Sequence, residues 1–263
     1  MRHASIPVAA ATTMFLLGVF IINLQVWYSA RADSLAEAHY VVRNMNVILK
    51  EARHATEMAK QLAENECDAE GQYRLGTEAA LQPHLRTIVI LKNDAVWCSS
   101  LPGNRVLLVN SSVLPESSLL LVPSASTVNG LPVLLYQTIH AGSRIIVSIS
   151  DSHIRDALDM PLNGVEYSLR VGNTLLSLTG DVTAADHTKK EILTVKASGY
   201  PFSVQFNSPP LFSLKRLFNR AGGVVLFLLI ISSLSAYILQ RYISKDVSPE
   251  ESLRIAIYRN EII

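Results

Sequence analysis

The chain has 263 residues, 49% of them apolar, with 23 Lys and Arg against 22 Asp and Glu for a net charge of +1. So balanced a charge excludes the basic footprint that nucleic-acid binding needs, and the length allows one or two domains. The apolar residues are not spread evenly: two long apolar runs bracket a polar stretch that holds both cysteines, the layout of a membrane protein with one large extracytoplasmic domain.

Residues 1–6 form a short tail carrying Arg2. Residues 7–28 (PVAAATTMFLLGVFIINLQVWY) have the length a helix needs to cross the hydrocarbon core at about 1.5 Å per residue, and Trp27 and Tyr28 end the run like an interfacial belt. A cleaved signal peptide is the alternative, since Ala30 and Ala32 loosely fit an A-x-A site. The run exceeds the usual h-region of about 7–15 residues, which favours an uncleaved anchor.

Directly after it, Leu35, Ala38, Val42, Met45, Leu49, Ala52, Thr56, Ala59 and Ala63 alternate in steps of three and four, a heptad seam with small residues toward its distal end. It predicts a stiff helix of roughly 35 residues leading to Cys67. The seam suits a second copy of the chain, making a homodimer, or equally the rest of its own domain. Glu51, Arg53, Glu57 and Lys60 read as a solvated face with i,i+3 and i,i+4 pairs.

Past Cys67 the pattern turns alternating and β-rich. Residues 87–92 (TIVILK) and 95–99 (AVWCS) flank Asn93-Asp94, a pair suited to positive φ, so a hairpin is predicted with Cys98 on its second strand. Further strands are expected near 118–122, 133–140, 144–150, 165–171, 191–196 and 202–206, with loops at Pro115, Ser124 and Asn129. Ser150-Asp151 reads as the N-cap of a short helix through Ile154 and Leu158. The fold class is therefore α+β: a mixed helix and antiparallel-sheet sensor domain over residues 29–220, between two transmembrane helices.

Residues 221–240 form the second span, with Lys215, Arg216 and Arg220 before it and Arg241 and Lys245 after. These flanks are too symmetric to set orientation, and the cysteines favour the loop outside. Gly222, Gly223, Ser232, Ser233, Ser235 and Ala236 make either a small-residue packing surface or simply a lipid-tolerant helix. Beyond it, Ser248-Pro249-Glu250-Glu251 offers a capping box for a helix through Leu253, Ala256 and Ile257.

A bond between Cys67 and Cys98 would close a loop of about 32 residues, for which the chain-entropy model gives roughly 3.7 kcal/mol. One reading is a structural staple. The other is a thiol switch, whose breaking releases the end of the long helix from the hairpin; a reduction potential separates the two. Trp97 either shields the sulfur or fills the core. No catalytic residue and no metal site emerges: His3, His39, His54, His84, His140, His153 and His187 show no ligand spacing, and Asp151, Asp156 and Asp159 near His153 resemble a polar helix face. Neither a P-loop, a Rossmann fingerprint nor a nucleophile elbow is present.

Trp97-Cys98-Ser99-Ser100, the earlier Cys67, the flanking spans and the tail resemble the CSS-motif proteins of Gram-negative bacteria, as do Pro83-His84-Leu85-Arg86-Thr87 and Leu101-Pro102-Gly103-Asn104-Arg105 around the hairpin. The resemblance covers essentially the whole chain. It implies an inner-membrane cyclic-di-GMP phosphodiesterase with residues 29–220 in the periplasm, residues 1–6 in the cytoplasm and residues 241–263 as a cytoplasmic stub that starts an EAL domain. It implies Cys67 and Cys98 as the redox disulfide, with Cys98, Ser99 and Ser100 as the CSS motif. The partners implied are the membrane and the periplasmic thiol-oxidation system, which forms the bond and holds the enzyme inactive until reduction. The catalytic glutamate and metal-binding carboxylates of an EAL barrel fall after Ile263, so no cofactor is expected here, and any divalent metal belongs to that barrel. The expected function is a membrane-anchored redox-sensing regulatory region. The alternatives are a small-ligand sensor, or a residual membrane protein with a purely structural disulfide.

Overall fold

The computed structural model describes residues 5–64, 67–101, 118–127, 130–159, 164–185 and 192–245. The capping box at Ser248, the loops at Pro115 and Asn129, and Pro102-Gly103-Asn104-Arg105 lie outside the described residues. The chain divides into two compact units, Ala32–Ser208 and the stretches before and after it.

Helix α1 (Ser5–Ala63) contributes its later half to the first unit. There Ala38, Val42, Met45, Leu49, Ala52, Thr56, Ala59 and Ala63 are buried, together with Val41, Ile48 and Ala55 on adjoining rows. The apolar members share one core cluster with Ile88, Ile90, Leu134, Ile145, Leu169 and Val204, so the heptad seam serves the chain's own domain. Thr56, a polar residue at a seam position, is satisfied by its own helix, its Oγ1 donating to the Arg53 carbonyl at 2.7 Å.

Two antiparallel sheets supply the rest. The first has the order β2-β1-β5-β4-β3, from β1 (Leu85–Lys92), β2 (Ala95–Ser99), β3 (Leu119–Val122), β4 (Val133–His140) and β5 (Ser143–Ser150). The second has the order β8-β7-β6-β10-β9, from β6 (Tyr167–Val171), β7 (Thr174–Leu176), β8 (Val182–Ala184), β9 (Ile192–Lys196) and β10 (Phe202–Asn207). The period-2 alternation divides the strands of the first sheet between two faces. Ile88, Ile90, Ile145 and Val147 enter the main core, while Val89, Leu91, Val133, Leu135 and Ile146 form a smaller cluster on the opposite face.

The β1–β2 hairpin forms as the sequence predicts, with Asn93 (φ 54°) and Asp94 (φ 59°) both in the left-handed region that a tight two-residue turn demands. Past Cys67 the structure adds one helix and two short strands to the elements the sequence predicts. Helix α2 (Ala69–Leu81) follows that cysteine at once, started by Asp68, whose carboxylate accepts from the Gly71 N–H at 2.7 Å. Strands β7 and β8 are three-residue pieces that complete the second sheet. Helix α3 (Asp151–Leu158) forms where expected with Ser150 at the N-cap position, but the Ser150 hydroxyl meets Ser152 Oγ at 3.0 Å instead of capping a backbone N–H.

Tyr167 on β6 reaches the start of this unit: its hydroxyl lies 2.7 Å from Glu37 Oε2 and 3.2 Å from the Ser34 carbonyl. Burial first, and then the hydrogen bond to Glu37, push this phenol well above its ordinary range. A phenol whose folded pKa is raised stabilises fully below the unfolded value of about 10, and that contribution is lost as pH rises beyond it. Stability is therefore expected to fall above about pH 10, and Tyr167→Phe to flatten that alkaline limb in a pH series of unfolding midpoints.

The other unit joins the first half of α1 to α4 (Leu214–Lys245). Leu217, Ala221 and Val225 are buried against Phe15, Val19, Ile22 and Val26. Asn23 Nδ2 and Trp27 Nε1 donate to the carbonyls of Leu211 and Pro209, each at 3.0 Å. Helix α4 starts before the predicted span and leaves helical geometry at Ala221 (φ −133°, ψ 16°). Of the small residues on this helix Ser232 is buried within this unit, whereas Gly223, Ser233 and Ser235 are exposed. Both helices are long and apolar enough to cross a membrane, with mean hydropathy 1.9 and 2.3 over their most apolar windows, and Leu16, Phe20, Phe227 and Ile230 point outward.

Candidate redox site

Cys67 stands one residue before the N-cap of α2, and Cys98 is the fourth residue of β2, so the local structure brings the end of the α1 segment to the hairpin. The two are joined in a disulfide with their Cα atoms 5.7 Å apart. Their surroundings differ. Cys98 is 1% exposed within the main core, whereas Cys67 is partly exposed at its edge.

Trp97 is the extra residue of a β-bulge: Ile90 faces Cys98 and Leu91 faces Val96, leaving Trp97 without an opposite number. Its ring packs partly on the core and carries the Lys92 ammonium 3.5 Å from its centroid, a contact across the hairpin. Its packing on the core fits the second of its two expected roles.

Ser99 and Ser100 act on backbone. The Ser100 N–H donates to the Ile88 carbonyl at 2.8 Å and its Oγ accepts from the Ile88 N–H at 2.9 Å, so one serine closes both polar groups of a β1 residue. Ser99, fully buried, accepts from the Leu101 N–H at 3.1 Å. The two hydroxyls hold the strand end that carries Cys98. Ser100→Ala leaves the Ile88 N–H without its partner and is expected to cost about 1–3 kcal/mol, read as a lower denaturant midpoint with unchanged slope.

Helix α2 lies against this end of the hairpin: a Cβ on Gly76 would stand 3.4 Å from the Ser100 carbonyl oxygen. An open cleft of about 420 Å³ runs beside it, lined by Gln72, Tyr73, Gly76, Thr77, Ser100 and Leu101 among others. Sequence reasoning missed α2 and with it this cleft. Asp68 as an N-cap and the i,i+4 pair Leu75 and Ala79 were the available signals.

Two histidines are paired with carboxylates of the α1 segment. His84 Nδ1 lies 2.9 Å from Glu51 Oε2 and its ring meets His153 edge-on, while His140 Nε2 lies 3.0 Å from Glu64 Oε1. Glu51 thus leaves the expected solvated face to bind His84; Glu57 and Lys60 keep their i,i+3 pair at 2.7 Å. Asp151 is buried and meets Arg155 at 3.0 Å, one turn along α3. Among the described residues no group of three or more His, Cys, Asp or Glu side chains is placed to hold a metal ion.

A family model described as "CSS motif domain associated with EAL" matches residues 30–220. Over all 263 residues the chain is 51% identical to "Probable cyclic di-GMP phosphodiesterase PdeG" of Escherichia coli (strain K12), and it spans 52% of that relative's length. No solved structure matches the chain.

Proposed function

We propose, of a chain that belongs to the family of CSS motif domains associated with EAL, that it is the membrane-anchored, redox-responsive regulatory region of a cyclic-di-GMP phosphodiesterase. The observation that carries the reading is the Cys67–Cys98 bond, which ties the segment after α1 to the strand next to β1. Reduction removes that tie and leaves α1 held by its packed seam and its histidine pairs. Two arrangements of the helices, differing in free energy between the redox states, then bias the output. The domain faces the periplasm, where the thiol-oxidation system forms the bond, and the bonded form is the inactive one. Support comes from the paired cysteines, the two apolar helices and the name of the relative.

The test joins the chain in frame to an EAL domain and measures cyclic-di-GMP hydrolysis. Cys67→Ser and Cys98→Ser are each expected to raise output above that of the oxidised parent; equal output in all three rejects the switch. The cleft beside Ser100 favours a second reading, a small-ligand sensor with the disulfide as a staple. A thermal shift with a metabolite that survives loss of both cysteines would support it.

A further inference from the structure

We propose that thiol exchange enters this disulfide through one sulfur: an external dithiol forms its mixed disulfide with Cys67, and Cys98 is the leaving sulfur. The inference rests on the redox reading above and adds the atom at which it is carried out. A thiolate attacks a disulfide sulfur from the side opposite its bonded partner, so the surroundings of each sulfur decide whether it can be reached. For Cys98 that approach runs through the core, since Cys98 is 1% exposed and belongs to the same buried cluster as Leu75, Ile88 and Ile90. For Cys67 the approach comes from the side away from Cys98, and Cys67 is partly exposed in the short connection before α2. The backbone contrast agrees: β2 is fixed by its ladder to β1 and by the Ser99 and Ser100 hydroxyls, whereas Cys67 lies outside any regular element.

In the first step the reductant's thiolate forms a new bond to Cys67 Sγ, the Sγ–Sγ bond breaks, and Cys98 departs with the electron pair. Cys98 then takes up a proton from water, because burial in apolar surroundings disfavours the thiolate. The reductant's second thiolate attacks its own bonded sulfur, oxidising the reductant to a disulfide and releasing Cys67 as a thiolate. Oxidation runs in reverse, with Cys67 as the attacking thiolate on an oxidant's disulfide and Cys98 resolving the intermediate.

The oxidised full chain, in detergent micelles, is exposed briefly to reduced glutathione, quenched with acid, alkylated and mapped by peptide mass spectrometry. Glutathione is expected on Cys67 with the alkyl group on Cys98, in about tenfold excess over the reverse pattern. Equal adducts, or a majority on Cys98, overturn the proposal. A second measurement guards against rearrangement: with oxidised glutathione, C98S should form its adduct at Cys67 about tenfold faster than C67S does at Cys98, the rates converging in urea. Equal native rates overturn it as well. Output assays bear on the switch alone: unchanged output with glutathione on Cys67 removes the switch and leaves the point of attack standing.

Discussion

Reduction of the Cys67–Cys98 bond is expected to destabilise the Ala32–Ser208 unit by about 3.7 kcal/mol, the chain-entropy value for a loop of this length. For a unit of this size that is a fall of about 7–15 °C in unfolding midpoint, measured by thermal scans with and without reductant. The serine variants should not be equivalent. Cys98→Ser places a hydroxyl in an apolar core and should cost more than Cys67→Ser, whose hydroxyl stands at the core edge. A reduced protein that melts with the oxidised one shows that the bond constrains nothing. The switch needs this constraint, since a bond without energetic consequence cannot bias two states.

Leu49→Ala should cost about 2–5 kcal/mol, the range for truncating a buried leucine. Leu49 is fully buried in the middle of the α1 seam, among partners of its own chain. Its loss should therefore be the same at all protein concentrations. A midpoint that moves with concentration indicates that the seam is shared between copies. Val47, 53% exposed on the same helix, is the control: Val47→Ala should change stability by less than about 0.5 kcal/mol.

The seam was legible because nine positions in a strict three-four rhythm leave a helix little choice, but the rhythm did not say what would cover it. That answer depended on two sheets whose residues lie far along the chain. The hairpin was legible from Asn93-Asp94, and the pairing partners from there being just two cysteines. Helix α2 was hidden by its own composition, since Gly71 and Gly76 weaken a helical pattern and only Gly71, Leu75 and Ala79 are buried. Strands β7 and β8 are too short for alternation to register. The work of Ser99 and Ser100 was also illegible, because their hydroxyls bond to backbone groups, which no side-chain pattern encodes.

If the disulfide is the switch, bond and output must move together. Membranes carrying the chain joined to an EAL domain are poised at a series of redox potentials, thiols are trapped at each, and the bonded fraction of Cys67 and Cys98 is compared with cyclic-di-GMP hydrolysis in the same samples. Hydrolysis is predicted to rise in proportion as the bonded fraction falls, with the two curves sharing one midpoint. Hydrolysis that stays constant while the bond goes from fully formed to fully reduced contradicts the account.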